Sequence, residues 1–173
     1  MSKRMIAAAA LLAASTLAAQ AHVTLETREA AVSAGYKAVF RVPHGCKGAA
    51  TVKLRVQIPE GVIAVKPMPK PGWSLEAVKG AYAKAYPYYH GATLSEGVKE
   101  IAWTGGKLLD EHYDEFVLQA YLSAELKPET MLYFPVVQEC EQGAERWIEI
   151  PEAGKTAADY ERPAPGLKLL PAK

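Results

Sequence analysis

The chain has 173 residues, with 20 Lys and Arg against 19 Asp and Glu, a length natural for one domain around one core. So even a charge balance argues against nucleic acid or an anionic membrane surface as the main partner. There is no GxSxG, no GxxxxGK[ST] and no HExxH, so the common serine-hydrolase, phosphate-loop and zinc-protease signatures are missing.

The first element is a leader. Lys3 and Arg4 form a short positive segment, Met5 to Leu17 is almost wholly Ala, Leu, Ile and Met, and Ala19-Gln20-Ala21 has the small-x-small pattern of a cleavage site. This reads as a Sec signal peptide over 1–21, too short and wrongly flanked to span a membrane. Cleavage after Ala21 would leave 152 residues starting at His22, with 18 basic and 19 acidic side chains and a formal charge of −1. No later stretch is apolar for 18 residues, so the mature chain is expected to be a soluble, exported bacterial protein, periplasmic or beyond, with no membrane span.

From there the dominant period is two. Strands are expected near Thr24–Thr27 and Tyr36–Val42. In "TVKLRVQIP", Val52, Leu54, Val56 and Ile58 share one face while Lys53, Arg55 and Gln57 share the other, a half-buried strand stopped at Pro59. Ile63–Lys66, Ser74–Val78, Ala81–Tyr89 and Val98–Trp103 follow. "FVLQAYL" (Phe116 to Leu122) and "MLYFPVV" (Met131 to Val137) read as deeper strands, the latter with a bulge or edge position at Pro135. Trp147–Ile150 closes the set. Many short strands separated by Gly- and Pro-containing turns predict an all-β, antiparallel β-sandwich over 22–151. After Pro151, the Pro- and Ala-rich stretch 152–173 reads as an irregular tail.

Cys46 and Cys140 are the only cysteines. An even count in an oxidising compartment predicts a disulfide; the alternative, a thiolate metal site, would have two distant ligands and no CxxC. Chemistry concentrates at the new N-terminus. A first-position histidine offers an α-amine and an imidazole Nδ1 that can close one chelate ring, and both are good donors to Cu(II). The amine's reference pKa of about 7.7–8.0 makes it available near neutral pH, and metal binding would release its remaining proton. A carboxylate is the natural further donor. Only Met68 and Met131 remain after cleavage, which disfavours a methionine-rich Cu(I) site.

Six segments in order, "AHVTLE", "PGWS", "IAWTGG", "YDEFVLQAYL", "FPVVQEC" and "GAERWIEIP", resemble the YcnI-like family of exported bacterial copper-binding domains. The resemblance spans His22 to about Pro151 and implies a cupredoxin-like or immunoglobulin-like sandwich. It also implies a mono-histidine brace holding one Cu(II) per chain. In this sequence His22 would supply amine and imidazole and Glu115 the carboxylate, with Trp147 standing beside the metal to shield it. Asp114 and Glu111 are neighbouring acids that compete for the role given to Glu115. His112 lies three residues before Glu115 and is a possible added ligand, while His44 and His90 read as surface residues.

The function expected from these residues is copper binding by a carrier, buffer or metallochaperone in copper homeostasis, and not an enzyme. Its partners would be the copper ion and a copper-transport or copper-chaperone protein. Two other readings stand beside it. One is a copper-dependent polysaccharide monooxygenase, with "AYAKAYPYY" as a sugar platform and His90 or His112 as the second histidine. The other is a metal-free exported binding module, because a fold alone assigns no function.

Overall fold

The computed structural model describes residues 22–173; the leader assigned to 1–21 lies outside the described residues. The described residues form twelve strands: β1 Thr24–Leu25, β2 Glu29–Ala31, β3 Ala34–Val42, β4 Thr51–Gln57, β5 Val62–Pro67, β6 Ser74–Pro87, β7 Thr93–Leu108, β8 Asp114–Leu122, β9 Met131–Tyr133, β10 Val136–Cys140, β11 Ala144–Trp147 and β12 Gly166–Leu170. One sheet runs β1-β3-β8-β5 and a second runs β11-β10-β4-β7-β6, both antiparallel throughout. A small third sheet, β2-β12-β9, includes one parallel pairing between β2 and β12.

Alternation decides which faces meet. In β4, Leu54 and Val56 are fully buried while Lys53 and Arg55 are only half-buried. In β8, Phe116, Leu118, Ala120 and Leu122 turn inward, and across the ladder Phe40 faces Phe116. Between the sheets these side chains form one continuous core, whose largest members are Trp103, Phe40, Phe116 and Phe134. The rings meet edge to face, Phe40 to Phe134 at 5.6 Å and Trp103 to Phe116 at 5.5 Å, the arrangement favoured by aromatic quadrupoles. The Trp103 indole N–H donates to the Met68 carbonyl at 3.0 Å, so burying its polar edge leaves no unpaired donor. Gly106 is required by this packing: a Cβ there would overlap the Trp73 indole, which itself packs perpendicular to Phe116.

Four expectations need adjusting. The stretch Met131–Val137 is two strands: β9 belongs to the third sheet and β10 to the second, with the change of sheet at Phe134-Pro135. Proline lacks the N–H a continuous ladder would use, and the Pro135 carbonyl instead accepts from Gln57 N–H. The segments read as Ser74–Val78 and Ala81–Tyr89 are one strand, β6, bent by register shifts after Val78 and Ala81. Trp147 ends β11 rather than starting a strand. The tail is not irregular throughout: β12 returns to the body and buries Leu167 and Leu169 in the main core. Two leucines at period two are a strand signal that the surrounding prolines obscured.

The long β6–β7 arm is tied down by Glu60, in the turn between β4 and β5. Its carboxylate accepts from Lys99 Nζ at 2.7 Å, Ala83 N–H at 2.9 Å and the Tyr86 hydroxyl at 2.9 Å. Burial pushes the Glu60 carboxyl upward, but these hydrogen bonds outweigh it and hold it below the usual 4.5. Burial, aided by the same contact with Glu60, raises the Tyr86 phenol to about 12. A lowered folded-state pKa gives stability that is fully present above the unfolded value and lost as pH falls through the folded one. We therefore expect Glu60→Gln to be less stable than the natural chain in urea at pH 7, with the gap closing toward pH 3. A gap of equal size at both pH values would show that the charge contributes nothing.

Candidate metal centre

His22 stands two residues before the start of β1, the edge strand of the first sheet, and Trp147 ends β11, the edge strand of the second. The two rings lie 5.3 Å apart between centroids and are tilted by 53°. His22 is half-buried and Trp147 only 5% exposed, so one flank of the imidazole is covered by indole.

Trp147 is held in place by a buried network. Its indole N–H donates to Gln138 Oε1 at 3.0 Å, and the Gln138 amide nitrogen donates to the His44 carbonyl and to Thr51 Oγ1, both at 2.8 Å. Gln138 is 1% exposed. Thr51 Oγ1 in turn touches Cys140 Sγ at 3.7 Å. Cys46 and Cys140 form the expected disulfide, with Cα atoms 6.0 Å apart, joining the loop after β3 to the end of β10. A covalent link and a glutamine thus fix the wall against which His22 rests.

Glu115 lies on β8, opposite Arg41 of β3, and Arg41 lies opposite Thr24 of β1. Two strand spacings of about 4.8 Å put the Glu115 backbone about 10 Å from Thr24, with His22 two residues before Thr24 in the chain. Alternation directs Thr24, Arg41 and Glu115 to the same face, away from the Phe40–Phe116 core. The Glu115 carboxylate accepts a hydrogen bond from the Tyr113 hydroxyl, and Tyr113 lines one cleft together with His22. The neighbouring Asp114 is engaged otherwise: it pairs with Lys70 at 2.6 Å. Glu111 is exposed beside His112.

The remaining histidines separate by position. His90 sits at the tip of the β6–β7 hairpin with φ 57°; β6 is the edge opposite β11, so four strand spacings, about 19 Å, divide the two edges. His112 is exposed in the loop before β8, next to Tyr113. His44 is half-buried at the end of β3; its Nδ1 contacts the Gly45 carbonyl at 2.5 Å and its Nε2 is buried without a hydrogen-bond partner among the described residues. The sequence reading missed Gln138, Tyr113 and this histidine's burial. Only Gln138 gave a signal: a polar residue at an inward position of a strand pattern. Tyr82 and Tyr86, from the segment considered as a sugar platform, are buried against Ile63; Tyr88 and Tyr89 pack on Tyr121.

Among the described residues, no three His, Cys, Asp or Glu side chains converge to hold a metal, and no helix is long and apolar enough to cross a membrane. A brace built on one histidine does not need such a cluster, because its second nitrogen is the α-amine. While Ala21 is attached, that nitrogen is an ordinary amide and the chelate does not exist.

Comparison with known proteins agrees with the fold. No curated protein matches the chain in sequence. A crystal structure of an uncharacterized protein from Nocardia farcinica, described as an immunoglobulin-like fold, superposes with a TM-score of 0.62 at 24% identity, covering 86% of this chain and 98% of that one. The architecture is therefore an immunoglobulin-like β-sandwich. The family model described as a domain of unknown function, DUF1775, matches residues 22–169, from His22 to the penultimate residue of β12; the chain belongs to the DUF1775 family.

Proposed function

We propose that the protein is an exported copper carrier or buffer that binds one Cu(II) through the amine and imidazole of a mature N-terminal His22. The observation that carries this reading is the placement of His22: it heads an edge strand, opens onto a cleft, and has one face covered by an indole that Gln138 and the disulfide hold in place. A chelating terminus needs such support, since a free chain end would lose conformational entropy on binding. The match to the family model starting at His22, and the resemblance to YcnI-like domains, point the same way.

In this reading the two nitrogens grip the ion, and Glu115 supplies carboxylate oxygens after giving up its bond from Tyr113. Trp147 excludes water from one side and donates no lone pair. Nitrogen and oxygen donors favour Cu(II) over Cu(I), and an edge site half open to solvent suits exchange with a receiving protein better than retention. Protonation of the amine competes with the metal, so affinity falls as pH drops below about 8, the amine's reference range.

The test compares signal-cleaved protein with a form carrying one extra alanine before His22, both titrated with Cu(II) and examined by electron paramagnetic resonance. The cleaved form is expected to bind one tight copper with a nitrogen/oxygen spectrum, and the extended form to lose at least a hundredfold in affinity. Glu115→Ala is expected to weaken binding and change the spectrum while the nitrogen couplings persist. Equal binding by cleaved and extended forms would overturn the amine chelate.

A further inference from the structure

The cleft beside His22 has a chemistry that the metal reading does not use. It encloses about 750 Å³ between β1, β3, β9 and the 155–166 segment. Three cationic residues line it, Arg28, Arg41 and Lys155, and no Asp or Glu does. Lys155 is already neutralised by Glu152 at 2.8 Å. The two arginines are different: neither forms an ion pair with a carboxylate among the described residues. Arg28 Nε donates to the Leu25 carbonyl at 3.3 Å, which anchors the base of the guanidinium and leaves its outer nitrogens available. Arg41 is placed by stacking, with its Cζ 5.5 Å from the Tyr113 ring, and that ring's hydroxyl is turned to Glu115.

The remaining wall is largely apolar: Pro43, Met131, Tyr133 and the Pro163–Pro165 turn. Met131 is 47% exposed. An inorganic anion would satisfy the arginines but leave this wall wet, whereas a carboxylate on a short hydrocarbon frame would satisfy both. Guanidinium forks match a carboxylate in two-point geometry, and a preformed cleft with an apolar wall and a few fixed polar groups is the general form of a small-ligand site.

We propose that this cleft binds a small organic polycarboxylate, held by Arg28 and Arg41, next to His22. The site needs neither metal nor free α-amine, so it goes beyond the copper reading and stands or falls separately. If both are present, a carboxylate held here lies beside the metal, and the cargo arrives or leaves as an anionic chelate.

Metal-free, signal-cleaved protein is titrated with citrate by calorimetry at constant ionic strength, with phosphate and chloride as comparison anions. Citrate is expected to bind at one site, at least tenfold tighter than phosphate, with no measurable site for chloride. Arg28→Gln and Arg41→Gln should each weaken citrate roughly tenfold, as expected for loss of a charge-assisted pair, whereas Lys155→Gln should change it less than threefold. Thermal melts confirm that the variants are folded, and Met131→Ser, exposed and so harmless to the core, should weaken citrate but not phosphate. Phosphate binding as tightly as citrate, or arginine variants that bind citrate unchanged, would overturn the proposal. The extended form with alanine before His22 should bind citrate normally even if its copper binding is lost, which separates failure of this site from failure of the metal site.

Discussion

Replacing both cysteines, Cys46→Ser with Cys140→Ser, is expected to lower stability by about 4–5 kcal/mol if the bridge acts by restricting the unfolded chain. The bond closes a loop of 94 residues in sequence separation, long enough to put the entropic effect near the top of its range. For a domain of this size that is a fall of on the order of 10–15 °C in the melting midpoint. Both sulfurs are buried, Cys46 at 5% and Cys140 at 8% exposed, so dithiothreitol should reduce the protein much faster in denaturant than in its native state. Melts of the double variant, alone and beside reduced natural protein, measure this. A loss below about 1 kcal/mol would mean the sandwich already holds the two segments together and the bond is dispensable.

Gln138→Leu is expected to cost about 3–5 kcal/mol for a different reason. One buried amide satisfies the Trp147 indole N–H, the His44 carbonyl and Thr51 Oγ1. Leucine has similar bulk but leaves those groups without a partner, and each unsatisfied buried group costs about 1–3 kcal/mol. Trp147→Phe removes a single donor and should cost less. The double variant should cost clearly less than the sum of the two, because the partners are then lost together. Urea midpoints for the four proteins give this coupling. Tryptophan emission gives a second readout, since an indole released from Gln138 should shift toward the red. If the copper reading is right, Gln138→Leu also weakens Cu(II), because Trp147 no longer holds its place against His22. Strict additivity of the two single changes would show that the Trp147–Gln138 bond contributes nothing.

Much of the fold was legible along the chain because a strand buries every second residue and the record of that burial is local. Leu54 and Val56 against Lys53 and Arg55 announce β4 without any partner being known. The pairing of Cys46 with Cys140 was legible by count. The elements that escaped were those whose local signal is short or mixed. β2 has only three residues, and β12 sits among prolines, so their strand character depends on each other and on β9 to complete a ladder. A strand of three residues has too few contacts of its own to be stable. Pro135 marks a local irregularity that the sequence reads as a bulge or edge position within one strand; that the chain instead leaves one sheet for another there is a fact about where two partners lie.

The site divides along the same line. His22, Glu115 and Trp147 stood out through residue type, order and a family resemblance. By itself, the sequence determined that this is an all-β chain with one disulfide, because hydrophobic period and cysteine count are properties that the chain carries without its fold. Only the tertiary structure decided that His22, two residues before β1, lies against Trp147 at the end of β11, that Gln138 holds that indole, and that Arg28 and Arg41 face one cleft with His22. Those contacts join residues scattered from position 22 to position 166. Their closeness arises from how the sheets pack face to face around one core, which no local pattern records.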